Sequence, residues 1–250
     1  MLTINKEAFL HKAFVIYNDK GGVGKSAMSI NITFAIMQMA GLKGQLVDTD
    51  PQKTSATCMD TRLSMGYETP DYVWRTSAIR ANFFKEIGKY EFVVFDTQGA
   101  DSPTGREIMT FSDCLIIPVN ASGFVVNTLA GKEGMLEKVV RAKANNPALK
   151  TFIVFNMVEK KNTAQIRKHK KKVKLMLDEL LAKYDSNTEE CEIHICEASI
   201  SAKPALYDLM NDGKSIFEIT KGKSLDPLLE YTALLAEIQE KLTSDIEVVA

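Results

Sequence analysis

The sequence predicts an α/β fold, a mostly parallel sheet with helices on both faces, in a single domain over residues 1–250 with no appended module. Three observations carry this. Apolar strand-like segments alternate with helical ones along the chain. The strand segments, such as FVVF and LIIPV, are apolar throughout rather than alternating, as strands covered on both faces read. Residues 25–40, KSAMSINITFAIMQMA, are apolar nearly all round, and such a helix must be buried against a sheet.

The elements follow in order. AFVIYN (13–18) is rich in β-formers and runs into a glycine cluster. The helix over 25–40 is punctuated by Gly41 and Gly44, after which QLVD (45–48) restarts a strand. DYVW (71–74) predicts another strand and 78–88 a helix. Gly88 breaks the chain before EFVVFD (91–96), and CLIIPV (114–119) follows. A helix is expected over about 124–144, the strand TFIVFN over 151–156, and a long amphipathic helix over 162–183. EIHIC (192–196), a helix near 203–211 and a C-terminal helix over about 225–242 complete the series.

Composition excludes several classes. The 250 residues are 45% hydrophobic and 25% charged, which rules out a disordered chain and a small disulfide-stapled scaffold. No apolar run approaches the ~18–20 residues of a membrane span. MLTINKEAFLHK has no apolar core of signal-peptide length, so a cytoplasmic protein is expected. Cys58, Cys114, Cys191 and Cys196 lack zinc-ligand spacing and read as reduced core residues.

The most informative segment is Asp19-Lys20-Gly21-Gly22-Val23-Gly24-Lys25-Ser26, set between a predicted strand and a predicted helix. Glycines let successive backbone N–H groups converge on one anion, and the N-terminus of the following helix adds to the same field. Lys25 supplies a point charge for β/γ-phosphates, and the Ser26 hydroxyl suits Mg²⁺. The segment departs from G-x-x-x-x-G-K-[ST]: Asp19 stands at the first glycine position, and a second lysine, Lys20, precedes the glycine pair.

KGGVGKS resembles the deviant Walker A motif of the ParA/MinD family of P-loop ATPases, and the chain is most similar to the small ParA-type plasmid-partition ATPases. LVDTDPQ (46–52) resembles the family's DxDPQ motif, and VVFDTQGA (93–100) its Walker B and second switch. IIPVNAS (116–122), VFNMV (154–158) and SIFEI (215–219) fall in the family's order, so the resemblance spans about 13–240. It implies a SIMIBI-type P-loop fold that takes ATP and Mg²⁺ between two copies of the chain. It implies slow hydrolysis stimulated by a ParB-like or centromere-binding adaptor. It also implies non-specific DNA binding by the ATP-bound homodimer, with nucleoid association and plasmid or chromosome partitioning.

Site residues follow. Nucleotide contacts are expected from Lys20, Gly21, Gly22, Val23, Gly24, Lys25, Ser26 and Ala27. By resemblance, Lys20 reaches the partner's nucleotide, and Lys20, Lys25 and Asp50 form the catalytic set. Asp96 ends an apolar strand at the crevice where ligands bind and is expected to hold Mg²⁺, through a water. Asp48 and Asp50 lie two apart at another strand end. By resemblance Asp50 orients the attacking water and Asp48 supports the metal shell with Ser26. Phosphoryl transfer needs positioning and charge neutralisation more than a strong base, so one carboxylate on a water suffices. Pro51 and Gln52 begin one switch; Thr97, Gln98 and Gly99 form the other. The N/T-K-x-D guanine signature is absent at Asn156-Met157-Val158-Glu159, which favours ATP. Asn156 is read either as an adenine contact, by resemblance, or as a cap for the next element.

Charge splits by region beneath a formal total of −1. Residues 160–174 carry eight basic and no acidic side chains, whereas 175–250 carry six basic and sixteen acidic. Ile166, Val173, Leu177 and Leu180 form an apolar stripe along the basic segment. Eight self-repelling charges ask for a polyanion, although a charge run can also be a solvated face. Lys160, Lys161, Arg167, Lys168, Lys171, Lys172 and Lys174 are the expected contacts to the DNA backbone, without base reading. A MinD-like membrane partner is the main alternative. It is disfavoured because the C-terminal stretch carries Glu237, Glu240, Asp245 and Glu247 against Lys241 alone.

Overall fold

The computed structural model describes residues 4–77, 88–121, 126, 129, 134–204, 208–218 and 226–243. Its strands are β1 (Lys12–Ile16), β2 (Gly44–Asp48), β3 (Asp71–Trp74), β4 (Phe92–Asp96), β5 (Cys114–Asn120), β6 (Lys150–Val158) and β7 (Ile193–Ser201). They form one sheet in the order β3-β2-β4-β1-β5-β6-β7, and every pairing is parallel. The helices are α1 (Lys6–Phe9), α2 (Lys25–Ala40), α3 (Thr54–Ser64), α4 (Pro103–Phe111), α5 (Met135–Asn145), α6 (Thr163–Leu181) and α7 (Asp226–Thr243).

The two-residue period of the strands divides the core. Phe14, Ile16, Val94, Ile116 and Phe152 pack on one face with α1, α2 and α7. Val15, Phe95, Leu115, Ile153 and Phe155 pack on the other with α4, α5 and α6. The central strand β1 places the glycine cluster mid-sheet, at the carboxyl ends where a doubly wound sheet opens its crevice. Helix α2 is buried along most of its surface, as its sequence requires. Two of its internal polar donors turn back onto the helix: Asn31 Nδ2 donates to Ala27 O, and Thr33 Oγ1 to Ser29 O, each at 2.8 Å. Gly41 ends it in the left-handed region, donating to Met37 O.

The edge strand β7 carries its own cover. Glu237 on α7 accepts from Glu197 N at 2.8 Å and from Ala198 N at 2.6 Å; Glu230 accepts from Ser201 N at 2.8 Å.

Several elements differ from expectation. Residues 78–87 of the expected 78–88 helix lie outside the described residues, and so does most of 124–133; the described helix there is Met135–Asn145. Near 203–211, the described part holds a 3₁₀ helix, Asp208–Asp212. The stripe on α6 extends to Leu181, with Leu180 partly buried against the same core, and His169 joins it, because α6 keeps an i, i+4 row against the sheet. Helices α1, α3 and α4 stand outside the elements expected from the sequence. All four cysteines are free thiols, and Cys58, Cys114 and Cys196 are buried.

Candidate active site

After β1 the chain turns through residues 17–24 into α2. Asn18 pins this loop from within: its Nδ2 donates to Pro118 O at 2.8 Å, and its Oδ1 accepts from Lys20 N at 3.0 Å. Gly22 and Gly24 sit at φ +72° and +83°, where a side chain is strained. Gly24 is the N-cap of α2 and offers no side-chain cap, so the first N–H groups of the helix are left for a ligand.

Lys25 is 7% exposed, and its ammonium donates to Lys20 O at 2.8 Å. Burial lowers its pKa, and the carboxylates of Asp96, Asp50 and Asp19 oppose that shift. Gly99 closes over the loop: a Cβ there would lie 3.0 Å from Gly21 Cα and 3.3 Å from Lys25 Nζ. The resulting cleft of about 510 Å³ is lined by Gly21, Lys25, Ser26, Asp50, Gln98 and Gly99, among others. Gly22, Ala27, Pro51 and Gln52 also line it, and Lys20 is exposed beside it.

Asp96 ends β4 with no exposed surface. Its Oδ1 accepts from Ser29 Oγ at 3.2 Å, and its Oδ2 is buried without a hydrogen-bond partner. Burial and then the Asp48 charge push its pKa up to about 7, while the hydroxyls of Ser26, Ser55 and Ser29 pull it part of the way back. A buried orphan carboxylate oxygen beside a serine hydroxyl is a hard oxygen site, and it fits Mg²⁺ completed by phosphate and water. Asp48 is engaged otherwise. Its Oδ1 accepts from Asp50 N and its Oδ2 from Ala56 N, both at 2.9 Å. It therefore sets the turn at Asp50 and caps α3. Burial raises its pKa, against those two backbone donors. Among the described residues, no group of three or more His, Cys, Asp or Glu forms a metal cage.

Asp50 is half-buried at the cleft, with Oδ1 accepting from Gln52 N at 2.9 Å. After β4, Thr97 Oγ1 donates to Ile16 O at 2.7 Å and ties that segment to β1. Asn156 lies inside β6 rather than at its end. Its Nδ2 donates to Val23 O at 2.8 Å, so it braces the phosphate loop from below.

Sequence reading missed a charge network built around one buried lysine. Lys138 on α5 has a side chain 7% exposed, with Nζ 3.0 Å from Asp19 Oδ2 and 3.2 Å from Asp101 Oδ2. Arg106 and the Tyr17 hydroxyl also reach Asp101. The departure at Asp19 was the one available signal, because an acid where a glycine is expected needs a cation.

On α6, Arg167, Lys168, Lys171, Lys172 and Lys174 are exposed, outside its buried row. Lys161 is exposed just before it. Lys170 turns inward, with its side chain 14% exposed and Nζ on Glu197 O at 2.7 Å. The side chain of Lys160 lies outside the described residues.

Residues 14–215 match the CobQ/CobB/MinD/ParA nucleotide binding domain. The chain belongs to this family. Within the CobQ/CobB/MinD/ParA family, it is 29% identical to the maintenance of carboxysome distribution protein A of Gloeobacter kilaueensis, over 43% of this chain and 48% of that protein. It is 25% identical to the chromosome-partitioning ATPase Soj of Thermus thermophilus, over 51% of this chain and 62% of that one. The chain thus spans between about half and three-fifths of the curated relatives it matches. Its fold is that of apo McdA from Cyanothece (TM-score 0.62, 16% identity, 89% of this chain and 99% of that one). It is shared by a plasmid partition protein of Borrelia burgdorferi solved with AMPPNP (0.60, 18%, 92% and 98%) and by MinD of Aquifex aeolicus (0.60, 16%, 93% and 97%).

Proposed function

We propose that this chain is a Mg²⁺-dependent ATPase that pairs with a second copy on ATP, then binds DNA non-specifically to partition a plasmid or chromosome. The observation that carries the reading is the buried Lys25 ammonium among Asp19, Asp50 and Asp96 beneath a glycine loop. Such a site is balanced for a polyphosphate accompanied by a divalent cation.

Each residue has a part. Backbone N–H groups of the loop and of the start of α2 receive the phosphates, and Lys25 neutralises the transferred group. Asp96 and Ser26 would hold Mg²⁺, which supplies neutralisation of the β/γ-phosphate charge. Asp48 positions Asp50 through its backbone N–H, and Asp50 orients the attacking water. Lys20, exposed at the rim, is assigned to the nucleotide of the second copy. Thr97, Gln98 and Gly99 sense the γ-phosphate through Gly99's closeness to Gly21. The exposed face of α6 carries the DNA contacts, and a ParB-like or centromere-binding adaptor stimulates turnover.

DNA retention measured with ATP, ADP or no nucleotide tests this. Retention is expected with ATP alone, and equal retention in all three overturns the switch. Neutralising Lys168, Lys171 and Lys172 together is expected to lower DNA retention by about tenfold or more while ATP affinity is kept. Unchanged retention assigns those lysines to a solvated face.

A further inference from the structure

Trp74 is the single tryptophan of the chain and stands at the end of the edge strand β3, 46% exposed. An indole so open to water contributes little to the core, yet its polar atom is committed. Its Nε1–H donates to the carbonyl of Asp50 at 3.0 Å. The same carbonyl accepts from Lys53 N at 2.9 Å. The Lys53 ammonium lies 5.7 Å from the indole centroid and 2.9 Å from Asp60 Oδ2, and Tyr72, two residues before Trp74, donates its hydroxyl to Asp60 at 2.5 Å. Register completes the clamp: Trp74 pairs with Asp48 across the sheet, and Arg75 N donates to Asp48 O at 2.8 Å.

The Asp50 turn is thus held from two sides. Asp48 fixes its entry through the Asp50 N–H, and β3 fixes its exit through the Asp50 carbonyl. From this geometry we infer that Trp74 is a positioning residue for Asp50: the indole N–H sets the backbone orientation that aims the Asp50 carboxylate into the cleft. The inference rests on the ATPase reading above, because the task it assigns to Trp74 is to align the carboxylate that orients water. A misaimed carboxylate loses turnover while the phosphate loop, on the other side of the cleft, keeps its grip on the nucleotide.

The test compares wild type, W74F, W74H and D50A by steady-state hydrolysis, ATP-analogue binding and thermal unfolding. W74F keeps an aromatic ring on the turn and removes the donor; W74H restores a ring N–H. The expected result for W74F is a fall in kcat of about tenfold with KM and analogue affinity changed less than about twofold, W74H recovering part of the rate. In wild type, an ATP analogue is expected to shift the emission of the lone indole, and ADP to shift it less. Unchanged kcat in W74F overturns the inference and leaves the ATPase reading intact. So does a parallel loss of affinity, rate and melting temperature, which marks a merely structural role. Wild-type protein that binds ATP without turning it over removes the ATPase reading, and the role of Trp74 falls with it.

Discussion

At the residue scale, the glycines of the phosphate loop are not equivalent. Gly24 holds φ +83°, and a Cβ there would stand 2.4 Å from Asn156 Nδ2, the atom that braces Val23 O. Gly21 has an ordinary φ and open space. Gly24→Ala is therefore expected to cost about 1–3 kcal/mol from backbone strain and displacement of Asn156, and to abolish nucleotide binding. Gly21→Ala is expected to leave stability within about 0.5 kcal/mol. Urea unfolding of the two variants checks this, and equal losses would reject the assigned difference. The sequence made the loop legible because spacing alone encodes it. It did not reveal the brace, because Asn156 is 132 positions beyond Gly24 and only the sheet order brings β6 under the loop.

At the element scale, α3 follows the Asp50 turn directly and is anchored at its far end. Arg62, 1% exposed, donates to both carboxylate oxygens of Glu218, at 2.6 and 3.0 Å, and to Gly213 O at 2.7 Å. Its guanidinium also lies 4.3 Å from the Phe34 ring centroid on α2. The loop 208–218 returns to α2 again where Ile216 N donates to Asn31 Oδ1. Glu218→Gln strands a buried guanidinium and is expected to destabilise by about 3 kcal/mol. Burial alone would raise the Glu218 pKa, but Arg62 and the Ser215 N–H outweigh it and hold the carboxyl below its ordinary 4.5. The stabilisation is then complete above pH 4.5 and is lost as pH falls through the lower folded value. Denaturant titrations of wild type and variant are expected to differ at pH 7 and to converge in acid; a gap independent of pH would show that the ion pair is not its source. Helix α3 escaped prediction because its cap is not local: Lys53 gives no side-chain cap, and Asp48 reaches in from β2 to Ala56 N. Helix α4 carries a readable start in Ser102-Pro103, with Ser102 Oγ accepting from Gly105 N.

At the scale of the whole molecule, the candidate site joins segments that leave the ends of β1, β2 and β4. A ligand there ties three neighbouring strands together without adding to the core. A nucleotide analogue with Mg²⁺ at a hundredfold its dissociation constant is expected to add about 2.7 kcal/mol to unfolding free energy. Thermal unfolding checks this, with Lys25→Ala showing no such gain; an equal gain in that variant would unseat Lys25 as the phosphate contact. The architecture was legible because strands buried on both faces are apolar along their length, and that signal survives in sequence. The order of strands was not, because parallel neighbours are chosen by crossovers rather than by any local motif.

The carboxylates of Glu230 and Glu237 on the flank of β7 have a consequence for how copies of the chain meet. A polymer that gathers many copies side by side raises their local density, and an open sheet flank would then invite them to zip into ribbons. Here three main-chain donors on that flank are already taken by acids from α7. Ribbon growth from that flank is disfavoured, and crowding is steered toward association that can be undone.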